Sequence, residues 1–265
     1  MSEYKIVNAC VANIYESSSF SSQLVTQALI WEALNILDKK NNWYKVKQKD
    51  GYIGWIHKFY LIDSSTYDDN KLLQNQNNWF WVKDRFISVR LKDNSKNFLS
   101  FGTILPCFLD KEEYFSLLPS NEKVAVSKNS LLKFNKKYPL KKIVSYAKNL
   151  IGSPYLWGGK SSFGYDCSGF VQILYQMAGY LLPRDCIDQV KSRLLTSIDM
   201  NNIEVGNLVY FEENNVITHV GIFINQHEYL HSSGNVKINS IDKASKNYDK
   251  SLFDKIRGFY KLKVL

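Results

Sequence analysis

The sequence predicts an α+β domain at the C-terminus, preceded by two small β-barrels. The first half of the chain is a succession of short apolar–polar alternations broken by turn residues, which is typical of small barrels. Residues 140–151 and the residues after Cys167 instead repeat apolar side chains at helical spacing. Strand-like segments return after residue 206 and continue to the end. We therefore expect barrels over 1–63 and 64–138, and the α+β domain over 139–265.

The first barrel has the clearer strand pattern. Residues 43–47 (Trp-Tyr-Lys-Val-Lys) alternate in polarity, Asp50-Gly51 has the residues of a hairpin turn, and residues 54–56 (Gly-Trp-Ile) resume a strand. This run resembles the bacterial SH3-like domains that are often fused to cell-wall hydrolases. Any small β-barrel is the alternative for this first barrel. Residues 64–138 hold further strand-like segments and, mainly by their position, resemble a second, divergent SH3-like barrel.

Composition favours some classes of protein over others. The formal net charge of +9 comes from scattered lysines without a basic run, so we expect no nucleic-acid partner. No apolar run is long enough to span a membrane. The chain begins without a secretory pattern, which favours the cytoplasm, or the periplasm if the sequence is a truncated mature form. The four cysteines are dispersed and show no metal-like pairing with histidine, so we expect reduced thiols and no metal. We also expect no cofactor and a monomer.

The α+β domain is organised around Asp166-Cys-Ser-Gly169, with the apolar repeat of a buried helix directly after it. Cys167 should therefore lie at the start of that helix, where unpaired N–H groups and the helix dipole lower a thiol pKa. The four histidines offer a base. His219 and His231 fall in strand-like segments that suit neighbouring strands of one hairpin. His219 would accept the proton of Cys167, and His231 would orient His219.

The remaining elements of this domain complete the prediction. We expect a helix over 140–151, another over 188–195, and an antiparallel sheet from five strands. The predicted strands cover 207–211, 218–224, 229–232, 236–238 and 256–262.

A buried cysteine and a strand histidine each have a purely structural explanation, but the three residues together favour catalysis. The run Asp-Cys-Ser-Gly-Phe-Val, with Tyr-x-Trp-Gly-Gly before it and Leu-Pro-Arg-Asp after it, resembles the NlpC-type cell-wall peptidases of the papain-like class. The Gly206-Asn207 strand, with asparagine where aspartate is common, and the two histidine segments are similar in the same order. The resemblance covers residue 141 to the C-terminus. It implies a Cys167-His219-His231 triad and peptidoglycan stem peptides as substrate.

The segment before Cys167 offers groups for the transition state. The backbone N–H of Cys167 and the hydroxyl of Tyr155 are candidate donors to the tetrahedral oxyanion. Trp157 and its neighbouring glycines would form an apolar wall that lets the substrate approach closely. Tyr155 and Trp157 are equally consistent with an aromatic core.

The resemblance further implies a specificity. Relatives with two SH3-like domains cleave the γ-D-glutamyl bond to a diamino acid in peptides whose N-terminal L-alanine is free. The ammonium group would be bound by Glu32 and Tyr52 of the first barrel and by Asp166. For Glu32 a solvated loop position remains the alternative.

Ser168 and Asp185 match positions that contact the D-glutamyl part. Cys186 stands where a small hydroxyl residue is usual, which leaves that contact open. The implied function is γ-D-glutamyl-L-diamino acid endopeptidase activity in murein peptide recycling. A cell-wall amidase, an acyltransferase and a non-catalytic wall-binding protein remain alternatives.

Overall fold

A computed structural model describes residues 3–65, 75–110 and 113–263 of the 265-residue chain. The chain divides into two compact units, Met1–Lys136 and Lys137–Leu265. Part of the linking stretch between the two predicted barrels lies outside the described residues. The barrel boundaries at residues 63 and 138 stay predictions.

The N-terminal unit begins with a seven-stranded antiparallel sheet in the order β3-β2-β6-β5-β4-β1-β7. The Asp50-Gly51 turn joins β5 to β6 as predicted, and Gly51 has the positive φ of 90° that the turn requires. Its strands are β1 Tyr4–Val7, β2 Val11–Tyr15, β3 Leu24–Leu29, β4 Ala33–Lys40, β5 Trp43–Lys47, β6 Ile53–His57 and β7 Leu61–Asp63.

The rest of this unit forms a five-stranded sheet, β13-β12-β11-β8-β14, and a β10-β9 hairpin. Trp31, between β3 and β4, contributes to the same apolar core as Trp79, and its indole N–H donates to the carbonyl of Leu117 at 3.0 Å. The two β-rich halves of this unit therefore share a core. The strands are β8 Trp79–Val82, β9 Phe86–Arg90, β10 Lys96–Ser100, β11 Ile104–Asp110, β12 Glu113–Leu117, β13 Lys123–Ala125 and β14 Leu131–Lys133.

The C-terminal unit combines short helices with a six-stranded antiparallel sheet, β17-β22-β18-β19-β20-β21. A further two-stranded pair, β15-β16, lies just before the central helix. The helices are α1 Leu140–Ala147, α2 Cys167–Met177, α3 Cys186–Gln189 and α4 Lys250–Phe253. The strands are β15 Lys160–Ser161, β16 Gly164–Tyr165, β17 Leu195–Ile198, β18 Leu208–Glu213, β19 Val216–Phe223, β20 Glu228–Ser233, β21 Asn235–Ser240 and β22 Ile256–Leu262.

Two helix predictions need correction. The helix predicted over 140–151 ends at Ala147 and continues as a 3-10 turn. The helix predicted over 188–195 is wrong, because α3 ends at Gln189 and Leu195 begins β17. Pairing with β22 accounts for the difference, since it buries Leu195 at the sheet edge. Local apolar spacing there was overridden by tertiary pairing.

Helix α2 is the centre of this unit. Ten of its eleven residues are buried, and it packs against β19 and β20. A helix enclosed on all sides fixes the position of its first residue firmly. None of the helices within the described ranges combines the length and apolar character needed to cross a bilayer.

Candidate active site

Cys167 is the first residue of α2, as predicted, and Asp166 caps the helix. Asp166 Oδ1 accepts the N–H of Gly169 at 2.7 Å, and Asp166 Oδ2 accepts the N–H of Gly158 at 2.9 Å. The aspartate therefore connects the preceding glycine loop to the helix start. Cys167 is buried between these two backbone segments.

A buried arginine completes the shell around Asp166. Arg184 is 2% exposed and makes a two-pronged contact with the carboxylate, Nη2 to Oδ2 at 2.6 Å and Nη1 to Oδ1 at 3.0 Å. Arg184 Nη1 also donates to Ser168 Oγ at 3.0 Å. Bidentate, charge-assisted contacts of this kind fix geometry strongly, so the backbone around Cys167 is held by an ionic network.

The glycines of the preceding loop permit close backbone packing. A Cβ on Gly169 would lie 2.3 Å from the carbonyl oxygen of Gly159, and a Cβ on Gly159 would lie 2.3 Å from that of Gly164. Within this unit these glycines therefore serve the contact between loop and helix. Trp157, at 60% exposed, is not part of the core, and Tyr155 is half-buried.

The two histidines lie on neighbouring strands, as predicted, with His219 on β19 and His231 on β20. His219 Nε2 and His231 Nδ1 are 2.7 Å apart. His231 Nε2 is in turn 2.7 Å from Oδ1 of Asn239 on β21. Burial lowers the pKa of His231 to about 4, so this ring is neutral at pH 7.

The thiol of Cys167 is hydrogen-bonded to both Cys186 and His219. The Cys186 contact and burial raise the pKa of Cys167 well above its ordinary value, and His219 opposes that effect. The expectation of a lowered pKa is therefore wrong for the resting site. Burial and the second thiol outweigh the helix start, so the thiol of Cys167 keeps its proton in the resting site.

Tyr155, the predicted oxyanion donor, has a protonated hydroxyl group. Burial and the neighbouring Cys167 raise the pKa of its hydroxyl to about 12, so the proton is retained throughout the neutral range. Its backbone is fixed to the turn between β20 and β21, because the N–H of Tyr155 donates to the carbonyl of Gly234 at 2.9 Å.

Ser168 and Asp185 are the residues predicted to contact the D-glutamyl part of the substrate. Ser168 is buried, and its hydroxyl contacts both Asp166 and Arg184. Asp185 is the N-cap residue of α3. Cys186 follows it, and its sulfur is 3.7 Å from the carbonyl oxygen of Ile217.

Glu32 and Tyr52 belong to the N-terminal unit. Glu32 lies in the turn from β3 to β4, where Oε1 accepts the N–H of Leu29 at 3.0 Å and Oε2 accepts Gln48 Nε2 at 3.2 Å. Tyr52 directly precedes β6, and its N–H donates to Asp50 Oδ1 at 3.0 Å. Glu32 thus has a local role in the barrel, and its contact with substrate stays a prediction.

Sequence reasoning missed two residues that the structure places at the site. Arg184 stands in the Leu-Pro-Arg-Asp segment, but nothing in that segment showed that it would reach back to Asp166. Asn239 is one of many asparagines in the chain, and only the register of β20 against β21 brings it to His231.

Two family models match parts of this chain, one in each unit. Residues 152–257 match the NlpC/P60 family, and residues 14–58 match the bacterial dipeptidyl-peptidase SH3 domain. The gamma-D-glutamyl-L-lysine dipeptidyl-peptidase of Bacillus subtilis (strain 168) is 28% identical over 219 residues, covering 78% of this chain and 71% of that protein. Dipeptidyl-peptidase 6 of Lysinibacillus sphaericus is 25% identical over 272 residues, covering 93% and 95%.

The fold has a solved counterpart. The crystal structure of an NlpC/P60 family protein from Bacillus cereus ATCC 10987 superposes with a TM-score of 0.83 at 21% identity, covering 97% of this chain and 98% of that one. The predicted fold class, SH3-like β domains before a papain-like α+β domain, is confirmed.

Proposed function

Since the C-terminal unit is an NlpC/P60 cysteine peptidase domain that follows a bacterial dipeptidyl-peptidase SH3 domain, we propose that the protein hydrolyses peptidoglycan stem peptides. The proposed bond joins γ-D-glutamate to an L-diamino acid in peptides with a free N-terminal L-alanine, as in murein peptide recycling. The name of the Bacillus subtilis relative, gamma-D-glutamyl-L-lysine dipeptidyl-peptidase, supports cleavage of a γ-D-glutamyl bond to a diamino acid. The observation that carries the proposal is the hydrogen-bonded series from Cys167 through His219 to His231.

In the proposed acylation, Cys167 begins as a protonated thiol and His219 acts as the base. As the sulfur of Cys167 attacks the γ-carbonyl carbon, its proton passes to His219 and the carbonyl becomes an oxyanion. The N–H of Cys167 and the hydroxyl of Tyr155 are the proposed donors to that oxyanion. The imidazolium of His219 then protonates the departing amine of the diamino acid, which leaves a thioester.

Deacylation uses the same groups. His219, neutral again, removes a proton from water, and the resulting hydroxide attacks the thioester carbon. The second tetrahedral intermediate collapses, the Cys167 sulfur leaves, and His219 returns the proton to it. No cofactor takes part in these steps.

Mass spectrometry of products from L-Ala-γ-D-Glu-diamino acid peptides tests this function. We expect the dipeptide L-Ala-D-Glu and the free diamino acid from the wild type, and neither from Cys167→Ala. Cys10→Ala, in the N-terminal unit, is the matched control and should retain wild-type turnover. Wild-type turnover by Cys167→Ala would refute the thiol mechanism. Release of peptide from sugar, or transfer to an added amine, would identify an amidase or an acyltransferase instead.

The role of Glu32 and Tyr52 is tested by comparing free and N-acetylated substrates. If Glu32 binds the ammonium, Glu32→Gln should lower activity on the free peptide by about ten- to a hundredfold, because charge-assisted hydrogen bonds contribute about 1.5–3 kcal/mol. Its activity on the acetylated peptide, already low in the wild type, should change little. An equal loss on both substrates would mean that Glu32 acts only through its bonds to Leu29 and Gln48.

A further inference from the structure

The hydrogen bonds at the histidine pair extend one residue beyond the Cys-His-His series. We propose that Asn239 is a positioning residue for catalysis, whose side-chain carbonyl sets the tautomer of His231 and, through it, the tautomer of His219. This inference rests on the proposed function, since it assigns Asn239 a part in the same proton transfer. The assignment follows from which atoms can donate and which can only accept.

The orientation of the Asn239 amide is fixed from outside the site. Its nitrogen, Nδ2, is 3.0 Å from the backbone carbonyl oxygen of Asn247. A carbonyl oxygen only accepts hydrogen bonds, so the amide nitrogen must face Asn247 and the amide oxygen must face His231. Asn239 Oδ1 is therefore the atom 2.7 Å from His231 Nε2.

This orientation determines where His231 carries its proton. Because Asn239 Oδ1 only accepts, His231 Nε2 must be the donor. His231 is fully buried, and its pKa of about 4 means that the ring carries one proton at neutral pH. With that proton on Nε2, Nδ1 of His231 has a free lone pair and must accept from His219 Nε2 at 2.7 Å.

The same logic sets the proton on His219. A neutral His219 that donates through Nε2 has its lone pair on Nδ1, the remaining ring nitrogen. That nitrogen is then the one that receives the Cys167 proton. The opposite tautomer at His231 would set two acceptors, His231 Nε2 and Asn239 Oδ1, against each other at 2.7 Å. Because Asn239 is neutral, it fixes which nitrogen of each ring carries a proton and does not compete for the proton of Cys167.

Nitrogen-15 NMR of the histidine-labelled full-length enzyme tests the tautomer directly and without substrate. The chain has four histidines, so each ring can be assigned by single substitution. We expect His231 to be protonated at Nε2 only, and its spectrum to show both tautomers in Asn239→Ala. A wild-type spectrum with the proton on Nδ1, or an unchanged spectrum in Asn239→Ala, would overturn the proposal whatever the enzyme's substrate.

Steady-state kinetics on the tripeptide tests the consequence for turnover. Asn239→Ala should lower kcat by about ten- to a hundredfold with KM nearly unchanged, by analogy with metal-bound histidines that lose such a hydrogen-bond partner. Asn239→Asp keeps the acceptor but loses the donor to Asn247, so it should recover part of that loss. Asn235→Ala, the same change on the exposed start of β21, is the matched control and should leave kcat unchanged.

These outcomes separate the two proposals. The expected tautomer shift without any tripeptide hydrolysis by the wild type would contradict the proposed substrate and leave the order of protons intact. A loss of kcat in Asn239→Ala equal to that in Asn239→Asp, with the wild-type tautomer retained, would make Asn239 a packing residue. The spectra of His57 and His227 report in each variant whether the chain is folded.

Discussion

Cys167 lies between two different hydrogen-bond networks, one built on an ion pair and one built on imidazole rings and an amide. On the backbone side, Asp166 and Arg184 form a buried ion pair that fixes the start of α2. On the imidazole side, His219, His231 and Asn239 form a hydrogen-bonded series in which His231 is neutral at pH 7. The first network fixes the positions of its atoms through charge-assisted bonds, whereas the second is ordered by which ring nitrogen carries each proton.

The difference assigns the two networks separate tasks. An ion pair holds atoms in place because its bonds are strong and numerous. A series of neutral rings can move one proton because each ring has one donor and one acceptor. Changes on the backbone side should therefore act mainly on stability, and changes on the imidazole side mainly on turnover.

The largest effect should come from the imidazole side. His231→Ala removes the acceptor that orients His219, so kcat should fall by about 10²- to 10⁴-fold with a much smaller rise in KM. His219→Ala should be at least as damaging. Kinetics on the tripeptide gives both constants. Unchanged turnover in His231→Ala would reduce the catalytic set to Cys167 and His219.

Loss of the ion pair on the backbone side should lower the free energy of unfolding. Arg184→Met leaves the buried Asp166 carboxylate without its ionic partner, so the free energy of unfolding should fall by about 3–5 kcal/mol. Exchange of the α2 amides with deuterium measures it within this unit. The double variant Asp166→Asn with Arg184→Met removes both charges and should recover part of the loss. If the single variant were as stable as the wild type, the ion pair would be irrelevant to the helix start.

Low pH should reduce the stability that the buried, neutral His231 contributes to the fold. The pKa of His231 is about 4 in the folded protein, below its ordinary 6.5, so the unfolded chain binds the proton first. The stability that comes from His231 is complete above about pH 6.5 and is lost as the pH falls toward about 4, an effect of about 3 kcal/mol. Deuterium exchange of the β19 and β20 amides at both pH values measures it. His231→Gln should show a smaller difference, and an equal one would argue against a neutral buried ring.

The smallest effect concerns the second thiol. Since the hydrogen bond with Cys186 is the main cause that raises the pKa of Cys167, Cys186→Ala should shift the pH profile of Cys167 alkylation toward lower pH. The measurement is the rate of iodoacetamide labelling at Cys167, followed by peptide mass spectrometry, with Cys10→Ala as control. A shift toward higher pH would mean that Cys186 donates to the Cys167 thiolate and stabilises it.

The sequence predicts what depends on local chemistry. The segment Asp166-Cys-Ser-Gly169 predicts a capped helix start, because capping and helical periodicity depend on residues close together in the sequence. The hairpin with His219 and His231 follows from two apolar runs around a short turn. Arg184 and Asn239 escape prediction because their roles depend on register and packing across the chain. Leu195 shows the same limit, since β17 exists only where β22 supplies its partner.

The short β19–β20 hairpin also has a consequence for the order in which His219, His231 and Cys167 come together during folding. His219 and His231 are twelve residues apart, so the two rings can meet as soon as one turn closes. Bringing Cys167 to them requires closing a loop of about fifty residues, which is entropically more demanding and slower. We therefore expect the histidine pair to form before Cys167 reaches it. Until the longer loop closes, Cys167 would lack its proposed proton acceptor.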